Sequence, residues 1–212
     1  TDWNKLVEFV EDGGTLYMSY DGATLDGMGR LFGMEVRYPI IEGAGQPVEI
    51  QSAGAQDEGC SGALCLRHAT GRRLVIRPRD ARVLWTHARG QGGGRAEGEP
   101  AIVAARSGRG QAVFCDFAFE LCMSDDHGVY ERMRPEQVYR AAAELSGWRE
   151  PAWTDSPDVS ATLLKSGGSE NGDMVLLVNY SHHPRQVRIH THGIDTSEAL
   201  VPANAGGIMA TE

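Results

Sequence analysis

Asp116 and Glu120, in the segment CDFAFE, form a carboxylate pair of the kind that acid–base chemistry uses. Two carboxyl groups can cleave a glycosidic bond when they flank it at about 5 Å or more. The segment reads as an apolar strand running into a loop, but sequence distance does not set spatial distance. Ser124-Asp125-Asp126-His127 gathers two acids and a base ahead of a glycine. That cluster suits a cation or a sugar hydroxyl, and equally the turn and capping chemistry that Ser and Asp supply in loops.

His190 and His192 share one face of a strand-like segment, and imidazoles at i and i+2 can chelate a metal. Val187, Ile189 and Thr191 occupy the opposite face, so the period-two pattern puts the histidines on the solvated side beside Arg188. No carboxylate lies within that strand, and no resident metal or other cofactor is expected. The four cysteines are Cys60, Cys65, Cys115 and Cys122. The gap from Cys60 to Cys65 exceeds the spacing of common zinc knuckles, and no second pair repeats it. Cys115 sits in an apolar strand, where a free thiol behaves as a small hydrophobe. Trp85, Trp148 and Trp153 could stack on sugar rings or serve packing. The run GQGGGRAEG at 90–98 lacks the Lys-Ser/Thr tail of a phosphate loop, and no strand-to-helix transition surrounds it.

These residues need elements to hold them. Trp3, Leu6, Val7 and Val10 mark an amphipathic helix that Asp2 can cap and Gly13-Gly14 can end. TLYMSY at 15–20 predicts a short strand, a turn at Asp21-Gly22 follows, and Ala23–Met34 reads as a helix weakened by Gly27 and Gly29. From 36 to 120 short apolar strands alternate with polar turns. Ala101–Ala105 and Gln111–Phe117 flank a hairpin turn at Ser107-Gly108-Arg109-Gly110. Pro135 opens a second helix carrying Val138, Ala141, Ala142 and Leu145 on one face, with Gly147 beyond its end. After the Pro- and Trp-rich stretch 148–157, the chain is strand-like to its end. The helix–strand–turn–helix opening predicts an α/β fold over residues 1–150 with a parallel sheet, and residues 151–212 form a small all-β domain.

The composition narrows the partners. The chain has 212 residues and a net charge of −9, which opposes nucleic acid as the main partner. No apolar run approaches the ~20 residues of a membrane span. The length is short for a (β/α)₈ barrel, which takes roughly 250 residues. The 27 glycines call for many tight turns.

The segments LVEFVEDGGTLYMSYDG, EPAIVAARSGRGQAVF and MVLLVNYSHHPRQVRI together resemble the C-terminal half of bacterial glycoside hydrolases. They are similar to the glutamine-amidotransferase-like "trimerisation" domain and the small β-domain after it in family 42 β-galactosidases. The resemblance implies a partial flavodoxin-like, class I glutamine-amidotransferase-like α/β domain that lacks its N-terminal part, followed by an antiparallel β-sandwich-type domain. It also implies an upstream catalytic barrel, a homo-oligomer, carbohydrate as a contact and a cytoplasmic location. Active members of the amidotransferase superfamily carry a nucleophilic Cys on a strand-to-helix elbow. Here the matching position holds Tyr20, and CDFAFE brings no His partner, so the inherited chemistry is expected to be dead. The implied role is a non-catalytic structural or oligomerisation region. The rivals are a carbohydrate-binding module and an active hydrolase using Asp116 and Glu120.

Overall fold

A computed structural model describes residues 2–41, 43–53, 63–67, 70–88, 98–124, 129, 135–165, 173–191 and 194–210. The chain divides into two compact units, Thr1–Trp148 and Arg149–Glu212.

The first unit is built on a six-stranded sheet. Helix α1 (Asp2–Glu11) leads through Gly13 and Gly14 into β1 (Thr15–Ser19), which pairs in parallel with β8 (Gly110–Cys115). Every other pairing in the sheet is antiparallel: β8 with β7 (Pro100–Ser107), β7 with β6 (Arg82–His87), β6 with β3 (Pro47–Ser52), and β3 with β4 (Ala63–Arg67). The resulting order is β1-β8-β7-β6-β3-β4. A separate two-stranded ribbon of β2 (Met34–Ile41) and β5 (Arg72–Pro78) touches the end of β8 through a bridge between Arg73 and Phe117.

Period-two alternation distributes the core to both faces of the sheet. Leu16 and Met18 of β1 join Val103, Ala112 and Phe114 on the face covered by α1, by α2 (Met28–Leu31) and by the ribbon residues Leu74 and Ile76. Phe32 and Phe114 are fully buried there with ring centroids 5.2 Å apart, each contributing about 1.5–3 kcal/mol by burial. The opposite face carries Tyr17, Ile102, Val113 and Cys115 against α3 (Phe119–Ser124) and α4 (Glu136–Leu145), which supplies Val138 and Ala142.

The β7–β8 hairpin needs its glycines. Gly108 has φ +57°, and a Cβ there would stand 2.6 Å from the Glu11 carbonyl oxygen. A Cβ on Gly110 would stand 2.1 Å from the carbonyl oxygens of both Val10 and Gly14. Backbone therefore packs on backbone where α1 crosses the start of β8, and only glycine leaves room.

In the second unit, β10 (Val159–Leu164), β11 (Met174–Asn179) and β14 (Gly206–Ala210) form one antiparallel sheet. A second joins β9 (Ala152–Thr154), β12 (Arg185–Thr191) and β13 (Ile194–Val201). Val159, Val175 and Leu177 of the first sheet share one core with Ala152, Val187, Ile189 and Val201 of the second. Asn179 is 1% exposed and ties this unit's turns together. Its Nδ2 donates to the carbonyls of His183, Val201 and Pro202 at 2.9–3.1 Å, while Oδ1 accepts the Ser181 N–H.

The expected flavodoxin-like, amidotransferase-like α/β class is wrong. Strand residues (49%) outnumber helical ones (19%), and the sheet is curled. A doubly wound fold needs a helix between successive parallel strands, whereas hairpin-type pairing makes all but the β1–β8 contact of this sheet antiparallel. The expected helix over 23–34 contracts to α2, because Gly27 (φ +81°) and Gly33 (φ +60°) bound it with left-handed backbone.

Candidate functional site

The carboxyl end of β8 brings the chemistry-bearing residues closest to one another. Asp116 follows the strand directly, and its backbone is pinned from two sides. Its N–H donates to the Ala101 carbonyl at 2.9 Å, and its carbonyl accepts the Leu74 N–H at 2.7 Å. The side chain points into a charged network. Asp116 Oδ2 and Oδ1 lie 2.9 and 3.1 Å from His87 Nε2, and Oδ2 lies 3.6 Å from Arg73 Nη1. Arg73 Nη2 then reaches Glu99 Oε2 at 2.7 Å. Arg73, His87 and Asp116 are at most 1% exposed. A carboxylate only accepts, so Nε2 of His87 carries the shared hydrogen. His87 Nδ1 is shielded and finds no hydrogen-bond partner among the described residues. Burying one of these charges alone would cost several kcal/mol, and the pairing offsets that cost.

Glu120 belongs to a different set. It lies in the first turn of α3 and is exposed. Oε2 accepts from Ser19 Oγ at 2.5 Å, and Oε1 accepts from Tyr139 Oη at 2.9 Å. Tyr139 comes from α4 and packs edge-on against Tyr17 and Phe119, with centroids 5.3 and 5.8 Å away. Burial above all, and then the neighbouring acidic groups Cys115, Glu120 and Tyr139, pushes the Tyr17 phenol far above the usual tyrosine range. Burial pushes the Cys115 thiol up as well, Asp116 adds to that, and the backbone N–H of Phe117 opposes it. Both groups are therefore held neutral, and neither supplies a nucleophilic anion.

Asp116 and Glu120 thus face separate partners, one sealed in the interior and the other at the surface. Tyr20 is 4% exposed and sits in the core with Met28, Leu31 and Phe32. Its N–H donates to the Cys115 carbonyl at 3.0 Å. α2 begins eight positions after Tyr20, so no helix starts at that turn. His190 pairs across strands with Trp153, and the two rings stack at 5.3 Å. Among the described residues, Cys65, Cys115 and Cys122 form no disulfide with one another. Cys60, Asp125, Asp126, His127, His192 and nearly all of the 90–98 run lie outside the described residues. Among the described residues, no three His, Cys, Asp or Glu side chains gather as metal ligands. A pocket of about 460 Å³ lined by Arg30, Glu35, Arg79 and Asp80 lies elsewhere, and its Glu35 already pairs with Arg37 and Arg79 at 3.0 and 3.6 Å.

Sequence reasoning passed over Arg73, His87 and Glu99. The one available signal is that His87 shares the parity of Trp85 in a strand and so points inward with it.

No protein-family model matches the chain, and no curated protein matches it. Solved structures do share its fold. A β-galactosidase from Rahnella sp. R3 aligns with 97% of this chain and 29% of its own, at 20% identity and TM-score 0.59. A family 42 β-galactosidase from G. stearothermophilus aligns with 98% of this chain and 29% of its own, at 15% identity and TM-score 0.54. An α-L-fucosidase from Paenibacillus thiaminolyticus aligns with 99% of this chain and 37% of its own, at 14% identity and TM-score 0.56. The chain has the fold of a segment that makes up 29–37% of each of these longer glycoside hydrolases.

Proposed function

We propose that this chain is a non-catalytic structural and oligomerisation region of a longer glycoside hydrolase of β-galactosidase type, acting in carbohydrate metabolism. The burial of Asp116 carries the reading. Acid–base cleavage of a glycoside needs two carboxyl groups that reach the same bond, and Asp116 has no exposed surface while Glu120 is gripped by Ser19 and Tyr139. The solved structures that share the fold support the hydrolase context, since the chain aligns with only 29–37% of each. An upstream barrel would carry catalysis, and the two units of this chain, divided near residue 150, would brace it. Exposed apolar side chains such as Leu6, Phe9 and Ile41 suit self-association. We place it in the cytoplasm, and the buried Cys115 thiol suits such a reducing compartment. No helix among the described residues is long and apolar enough to cross a membrane. Assays of the purified chain for glycosidase and glutaminase turnover test the reading, and robust turnover of either kind contradicts it.

A further inference from the structure

We propose that the pocket between α2, the start of β2 and the turn after β5 binds a small hydroxylated carboxylate, a sugar acid in class. The pocket measures about 460 Å³, within the size range of small-molecule sites. It lies in the first unit, and neither Asp116 nor Glu120 lines it.

The walls of the pocket are fixed before any ligand arrives. The Gly33 carbonyl accepts three successive N–H groups, those of Arg79, Asp80 and Ala81, at 2.9–3.1 Å. That one oxygen ties the turn after β5 to the turn that ends α2. A Cβ on Gly29 would stand 2.7 Å from the Met34 carbonyl oxygen, so α2 lies against the start of β2 with no side chain between them. Met28, Leu31 and Met34 are at most 3% exposed and root the same segments in the core. Walls held in this way lose little freedom when a ligand binds, which favours affinity.

The charges on these walls select the ligand. Glu35 is engaged by Arg37 at 3.0 Å and by Arg79 at 3.6 Å. Arg30 and Asp80 are exposed, and among the described residues neither side chain has a hydrogen bond or ion pair. A free guanidinium offers a planar fork of donors that fits a carboxylate. A free carboxylate only accepts, and hydroxyl groups are its neutral partners. Arg30, Arg37 and Arg79 against Glu35 and Asp80 leave one positive charge, in a chain whose net charge is −9. That excess matches a monoanion, whereas a phosphate dianion would bring a second negative charge toward Glu35 and Asp80. The ligand therefore presents a carboxylate to Arg30 and Arg79 and hydroxyl groups to Asp80. The anion follows from these residues alone, while the sugar skeleton rests on the reading of the chain as part of a glycoside hydrolase.

Amide shifts of Gly29, Gly33 and Asp80 in the labelled chain test the proposal, in titrations with galacturonate, galactose, acetate and inorganic phosphate at about 0.15 M salt. Galacturonate should move these amides with a Kd of about 1 mM, the affinity expected for a ligand of that size. Galactose, acetate and phosphate should each bind at least about tenfold more weakly. Arg30→Gln removes an exposed side chain that the fold does not use, and should weaken galacturonate about tenfold or more. Asp80→Asn should bring galacturonate toward the affinity of acetate. Galactose binding as tightly as galacturonate, or affinity unchanged by Arg30→Gln, would overturn the carboxylate site. Tighter binding of phosphate would overturn the monoanion, and equal binding of acetate would overturn the sugar. Shifts absent up to about 10 mM galacturonate, tenfold above the expected Kd, would overturn the whole proposal. The pocket is read by binding and the non-catalytic role by turnover, so either can fail alone.

Discussion

Asp116 and Glu120 show how little a residue's type says about its use. Both are carboxylates near the end of one strand, yet the first is locked to His87, 29 positions away, and the second to Ser19, 101 positions away. The sequence made Asp116 visible as a chemical group, but its partners come from β5 and β6, and no local pattern announces a pairing between strands so far apart. Asn179 serves as a buried clamp on three carbonyls, a role that no local sequence pattern announces. Replacing it by Asp turns its donors into a carboxylate facing those carbonyls, and should cost the second unit at least about 2 kcal/mol, read from urea unfolding. The raised phenol and thiol give a pH dependence. Tyr17 and Cys115 stay protonated in the folded state above the ordinary values of 10.0 and 9.0 and ionise when the chain unfolds. Their contribution is complete below those values and is lost as the pH climbs past them. Stability should therefore fall steeply from about pH 9 upward, and Tyr17→Phe should flatten that fall between about pH 10 and 11; an unchanged slope would show that Tyr17 ionises freely in the folded protein.

Among the elements, those with strong periodicity were readable. α1 and α4 follow the apolar spacing of Trp3, Val7 and Val10 and of Val138 and Ala142, and the β7–β8 hairpin follows its Gly108-Arg109-Gly110 turn. α2 was overcalled, because local apolar spacing competed with glycines that the backbone uses at positive φ. The stripe of α1 also divides, since Leu6 turns outward with Phe9. The contact of α1 with β8 is the most sensitive junction in the first unit. Gly110→Ala would force a methyl group against two carbonyl oxygens and should lower the stability of that unit by about 2 kcal/mol or more. A melting temperature equal to that of the unsubstituted chain would show that α1 can shift away without cost.

The scale of the whole molecule is where the sequence misled most. Residues 2–34 have an α/β rhythm, and that rhythm set the expected class, although the longer stretch from 36 to 120 holds most of the first unit's strands. Which strands pair depends on contacts distant in sequence, so the insertion of the single parallel pair β1–β8 at the margin of an antiparallel sheet left no local trace. In the second unit the strands come in succession with turn residues between them. The functional account rests on the same scale: a fold shared with segments of longer glycoside hydrolases, and candidate carboxylates already committed to internal partners. The most direct test is the hydrolysis of nitrophenyl glycosides, β-galactoside foremost, by the purified chain beside its Glu120→Gln variant. The account predicts that both leave the rate at that of buffer. Turnover by the unsubstituted chain that Glu120→Gln abolishes would contradict it.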